Sequence, residues 1–124
     1  MGMYTGLRGK ITLNEEYAPK IKQAMEADIA DFWDTVLPEG HPFLREGRRN
    51  QIPFGAVCYM PEDWGDGYAE LDGNQWAICC SLKNYEGEIA IFINLVLPLI
   101  AERWDLESLY EEDDYPDVHI GSAD

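Results

Sequence analysis

The sequence predicts an α+β protein: a four-stranded antiparallel sheet with two helices on one face. Two changes of rhythm carry that expectation. Thr5, Leu7, Gly9, Ile11 and Leu13 alternate with Arg8, Lys10 and Thr12, which is the period of two of a half-buried strand. Ile21, Met25, Ile29, Phe32 and Val36 then recur at helical spacing. A chain of 124 residues suits one domain, expected over residues 1–112, with 113–124 as an acidic C-terminal tail.

The elements follow in order. Asn14, Glu15 and Glu16 form a helix-entry signal, with acids where the helix dipole favours them, and Pro19 suits a first turn. The helix should end near Leu37, because Pro38 disfavours helical geometry before it and Gly40 follows. His41 to Pro53 reads as a loop carrying Arg45, Arg48 and Arg49. Phe54 to Met60 reads as a strand ended by Pro61, and Glu62 to Asn74 as a turn-rich excursion. Trp76 to Leu82 is the next strand, expected to pair with Phe54 to Met60 as a hairpin. Asn84 can cap a second helix, with Ile89, Phe92, Ile93, Val96, Leu97 and Ile100 as its buried stripe and Pro98 as a kink. Ile89, Ile91 and Ile93 would also alternate in a strand; length and polar flanks favour the helix. Asp105 to Glu112 closes the order as an edge strand. The sum, β-α-β-β-α-β, implies a ferredoxin-like arrangement. Its expected interior is Ile21, Met25, Phe32, Trp76, Ile78, Leu82, Ile89, Phe92 and Val96.

Charge dominates the composition. There are 24 Asp and Glu against 9 Lys and Arg, a formal net charge of -15. No Lys or Arg occurs between Asn50 and Leu82, and after Lys83 only Arg103 is basic. Such a surface repels nucleic acid and anionic membrane and attracts basic proteins. With no basic footprint, direct nucleic-acid binding is excluded. Carboxylates two apart on a strand lie about 6.8 Å apart, and those three or four apart on a helix roughly 5–6 Å. DNA spaces its phosphates by roughly 3.4 Å per strand, so rows of Asp and Glu can imitate a phosphate row. The same acidity also serves solubility alone.

Residues 59 to 68, Tyr-Met-Pro-Glu-Asp-Trp-Gly-Asp-Gly-Tyr, combine acids with Trp64 and Tyr68, the mixture found at binding hot spots. The alternative is a loop whose aromatics fold back on the core, and for Trp64 this is favoured. Counted from Asp63 as a calcium loop, the glycine position holds Tyr68 and the twelfth holds Asn74, so that motif fails. Cys58, Cys79 and Cys80 match no zinc spacing with His41 or His119, and adjacent Cys79 and Cys80 must face opposite sides of a strand. They read as free thiols, with no metal and no cofactor. No nucleophile-base pair, phosphate loop or serine elbow is visible, so an enzyme is not expected. No apolar stretch reaches the roughly 20 residues of a membrane span, and the N-terminus lacks a signal pattern. The expected compartment is the cytoplasm.

Several segments carry a resemblance: Met3-Tyr4-Thr5-Gly6-Leu7-Arg8-Gly9-Lys10, Ile52-Pro53-Phe54-Gly55, Tyr59-Met60-Pro61-Glu62-Asp63-Trp64, Cys80-Ser81-Leu82-Lys83-Asn84-Tyr85-Glu86, and Val96-Leu97-Pro98 with Ile100-Ala101-Glu102. They resemble a family of small acidic proteins of phages and mobile elements. The resemblance implies an inhibitor of a host defence, with an anti-CRISPR as the favoured form, and it favours helix for Glu86 to Glu102.

The expected function is therefore occupation of a basic nucleic-acid-binding surface, such as that of a CRISPR effector subunit, by acidic mimicry without chemistry. The expected contact residues are Glu62, Asp63, Trp64, Asp66, Tyr68, Glu70 and Asp72, with Glu107, Glu111, Glu112, Asp113 and Asp114 as a second patch. An immunity protein against a basic toxin nuclease would use the same physics. A small-molecule-sequestering domain would use the open sheet face or the Arg45 to Arg49 loop.

Overall fold

A computed structural model describes residues 4–58 and 60–123. Its strands are β1 (Thr5–Leu13), β2 (Tyr68–Asp72), β3 (Gln75–Leu82), β4 (Ala101–Tyr110) and β5 (Asp117–Ser122). They form one sheet in the order β2-β3-β1-β4-β5, antiparallel at every neighbouring pair. The helical segments are α1 (Ala18–Met25), α2 (Phe32–Val36), α3 (Gln51–Phe54), α4 (Glu88–Ile91) and α5 (Leu97–Ile100), with a π turn, Phe92–Val96, joining the last two.

The four-stranded, ferredoxin-like expectation is thereby corrected: the sheet has five strands. The fifth is β5, formed by residues assigned to the acidic tail, and it turns β4 from an edge strand into an interior one. The hairpin is also different. β3 pairs with Tyr68–Asp72, through Asp72↔Gln75, so only Gly73 and Asn74 form the turn. Gly73 has φ 62, the positive value a two-residue hairpin turn requires at its first position. The segment expected as its partner strand begins instead in a helical turn, Gln51–Phe54, and the described residues between Gly55 and Met60 contain no strand; Tyr59 lies outside the described residues.

The long first helix is broken. α1 stops at Met25, and the Asp28 carboxylate accepts the Ala30 N–H at 3.0 Å to start a separate 3₁₀ turn, Ile29–Asp31. A short acidic side chain offers the backbone this alternative to continuing the helix. Ile29, expected on the buried stripe, is left 52% exposed, and Met25 is half-buried. The second helical region holds from Glu88 to Ile100. Asn84 Oδ1 accepts the Ile89 N–H at 2.9 Å near its start. Pro98 cannot donate to Asn94 and its ring crowds that carbonyl; the wider π turn just before it accommodates the loss.

One face of the sheet packs the core. Leu7, Ile11, Trp76, Ile78, Cys80, Leu82 and Leu106 are buried there against Ile21, Phe32, Trp33, Phe43, Phe92 and Val96. Trp33 sits among Phe32, Phe43, Phe92 and Trp76 at centroid distances of 4.9, 5.5, 5.6 and 6.0 Å. Gly9 lets β1 and β4 close together: its φ is 141, and a Cβ there would lie 2.2 Å from the Asp105 carbonyl oxygen. The opposite face carries Tyr68, Gln75, Arg8, Lys10, Thr12, Arg103, Asp105, Glu107, Val118 and Ile120 around a concave space of ≈ 1010 Å³.

Cys80 lies in the main core and Cys79 on the other face, as adjacent strand residues must; Cys58 is exposed. Burial pushes the Cys80 thiol far up, so it has almost no thiolate at neutral pH. A thiol reagent should modify Cys58 at once in the native protein, and Cys79 and Cys80 only on unfolding. Counting released chromophore before and after adding urea checks this.

Candidate partner-binding site

The first acidic turn is fastened to the open face of the sheet by Trp64. A 3₁₀ turn, Glu62–Trp64, buries the indole to 3% exposure, and Gly65 follows with φ 103. The ring lies on Gly6 of β1, where a Cβ would come within 2.5 Å of it. Met60 and Cys79 pack beside it, with Tyr4, Val57 and Leu109 at the margin. Arg8 lies over the ring, its guanidinium 4.1 Å from the ring centroid. Arg8 Nη1 donates to the Trp64 carbonyl at 2.5 Å and to the Asp63 carbonyl at 3.4 Å, and Nε pairs with Glu107. Arg8 thus ties the turn to β4. Glu62, Asp63 and Asp66 are left exposed around this anchor. The Cys79 thiol is raised by burial and further by the Asp66 charge, while Arg8 lowers it.

The second acidic turn is fastened at the same end. The Tyr4 N–H donates to Glu111 Oε1 at 2.7 Å, and the Glu111 N–H donates to the Tyr4 carbonyl at 2.9 Å. The Asp113 N–H closes the turn on the Tyr110 carbonyl at 2.8 Å. Glu112, Asp113 and Asp114 are exposed, and Tyr115 is 83% exposed. Leu109 belongs to the same small cluster as Trp64. Glu62, Asp63 and Asp66 therefore share one end of the sheet with Glu111, Glu112, Asp113 and Asp114, although more than forty residues separate the two segments.

The field of that end is visible at Tyr110. Its half-buried phenol is held above the usual value near 10, by lost hydration first and then by Glu112, Glu111, Tyr85 and Asp113. An alkaline absorbance titration should show one tyrosine ionising late, and Glu112→Gln should bring it down. The fold favours the neutral phenol, so this contribution is intact below the ordinary tyrosine value and fades as pH rises through the raised one.

Glu70 and Asp72 do not join this cluster. Both are exposed on β2, but Asp72 sits opposite Gln75, at the far end of the strand from Asp66. The register places Glu70 in one row with Ala77, Lys10, Asp105 and Ile120, and Tyr68 in one row with Cys79, Arg8, Glu107 and Val118. Arg8 and Lys10 thus stand between the acids of β2 and those of β4. The open face is of mixed charge, not an acidic plane, and Glu107 on it is already neutralised by Arg8. Sequence reasoning missed Arg8 as the clamp. The signal was its position opposite Leu7 in the alternation, beside a glycine that leaves room for an indole.

Among the described residues no three His, Cys, Asp or Glu side chains gather as a metal site, and no helix is long and apolar enough to cross a membrane. Ser108 Oγ and His119 Nε2 lie 2.7 Å apart, joining β4 to β5. No family model, curated protein or solved structure matches this chain.

Proposed function

We propose that this chain is a non-enzymatic, cytoplasmic inhibitor that binds a basic nucleic-acid-binding protein through the acidic end of its sheet. The observation that carries the reading is the convergence of two acidic turns, 62–66 and 111–114, each held by specific packing and hydrogen bonds. A surface that only solvates the protein needs no such fastening. Grouped and fixed carboxylates raise the local potential and steer a cationic partner, and their preorganisation lowers the ordering cost of binding. Trp64 serves this site from beneath; Tyr115 and Tyr68 are the exposed rings beside it that can supply apolar contact.

The resemblance to phage and mobile-element proteins makes a CRISPR effector or another host-defence complex the partner of choice. Displacement of nucleic acid by charge mimicry would then need no chemistry from the inhibitor. The test is affinity capture from a bacterial host lysate at low salt, with elution by rising salt. The wild-type protein should retain a basic nucleic-acid-binding protein that a variant with both turns reversed in charge does not. Equal retention by the two proteins would overturn the reading.

A further inference from the structure

A second concavity has the opposite chemistry. It lies between the end of β3, the residue before β1, and α3, and encloses ≈ 490 Å³. Tyr4, Arg48, Gln51, Phe54, Ser81 and Lys83 supply its side chains, and no Asp or Glu is among its lining residues. In a chain with 24 carboxylates and 9 basic residues, two cations on one carboxylate-free hollow stand apart from the rest of the surface. The volume falls in the usual range of small-ligand pockets, roughly 300–1,000 Å³.

Each cation is held in place. Arg48 Nη1 lies 3.5 Å from Oε2 of Glu88, a carboxylate only 1% exposed whose Oε1 accepts the Glu86 N–H at 3.0 Å. The Arg48 guanidinium also lies 5.4 Å from the Tyr85 ring centroid. Its remaining N–H groups are free of that carboxylate, since a guanidinium carries five donors. Lys83 Nζ lies 5.7 Å from the Tyr4 ring centroid and makes no carboxylate ion pair among the described residues. Tyr4 and Phe54 bring aromatic surface to the same hollow, and Gln51 brings an amide with both donor and acceptor.

We propose that this hollow is a binding site for a nucleoside monophosphate. The phosphate would take the Arg48 and Lys83 charges, the base would lie on Tyr4 or Phe54, and Gln51 would meet its polar edge. Inorganic phosphate uses only the first of these contacts and a nucleoside only the others. The hollow meets the acidic end at Tyr4, whose backbone pairs with Glu111, but none of the acidic side chains lines it, so nucleotide titration and partner capture read different residues and can fail independently.

The test is a two-dimensional amide NMR titration of the whole protein with AMP and UMP, with inorganic phosphate and adenosine as controls. At least one nucleotide should shift the amides of Gln51, Gly55, Ala56 and Lys83 saturably at millimolar concentration. Lys83→Gln should weaken that binding by about tenfold, the loss of one good charge-assisted contact. Gln51→Ala should weaken it with no change in fold. Arg48 is left intact in these variants because its removal would strand the buried Glu88. Shifts by inorganic phosphate at the same affinity as by the nucleotides, unchanged binding in Lys83→Gln, or no saturable shift at all would overturn the proposal.

Discussion

Trp33→Ala is expected to cost about 3–5 kcal/mol of folding stability, the usual range for emptying a large aromatic from a core. Trp33 is 0% exposed and packs on four other aromatic rings, so no neighbour can collapse into its space without losing its own contacts. Its Nε1 also donates to the Ile52 carbonyl at 2.5 Å, tying the helical layer to the α3 turn. Small domains have roughly 5–15 kcal/mol in total, so the variant should sit near the limit of folding. Trp33→Phe separates the two effects. It keeps most of the packing but orphans the Ile52 carbonyl, a loss of about 1–3 kcal/mol. Urea denaturation followed by far-ultraviolet circular dichroism measures both. A Trp33→Ala protein within about 1 kcal/mol of wild type would show that the aromatic cluster is not what holds the two layers together.

Reversing Glu62, Asp63, Asp66, Glu112, Asp113 and Asp114 to Lys should slow association with the basic partner by about a hundredfold at low salt. Electrostatic steering spans 10–10³ in association rate, and this change removes the steering charge and inverts its sign. Stability should barely move. All six side chains are exposed, and such substitutions cost within about 0.5 kcal/mol each. Asp63 contributes to the anchor through its backbone carbonyl, which survives the change. Glu111 is excluded because its carboxylate accepts the Tyr4 N–H. The two turns should act together: reversing either alone should leave part of the steering, because the other still faces the same approach. The comparison is made with stopped-flow mixing of each variant and the captured protein.

Where local chemistry decides the structure, the sequence was readable. β1, β3 and the helical region from Glu88 to Ile100 follow from periodicity; the N-cap falls on Gly87, not Asn84, whose side chain instead accepts the Ile89 N–H from three residues before the cap. Three features were hidden for identifiable reasons. Ile29 keeps the helical spacing, but Asp28 captures a backbone N–H and breaks the helix beneath it. Tyr68–Asp72 alternates as a strand should, yet its outward residues are mostly the acids that made the segment read as a turn-rich loop. β5 follows Asp113 and Asp114 and opens on Asp117, so charge masked the Val118-His119-Ile120 alternation that pairs with β4. The gathering of residues 62–66 and 111–114 could not be read at all from spacing. It depends on the β1–β4 register and on an indole seated over Gly6, and both are tertiary facts.

The most direct test of the account is the salt dependence of the association rate between this protein and the basic protein it captures. Grouped carboxylates that steer the encounter act over about 10 Å at 0.1 M salt and only about 3 Å at 1 M. The wild-type rate should fall steeply as salt rises, and the rate of the six-residue reversal should start low and rise, because the same salt screens the repulsion that the lysines introduce. Two proteins with equal rates and the same shallow salt dependence would contradict the claim, because the acidic end would then take no part in recognition.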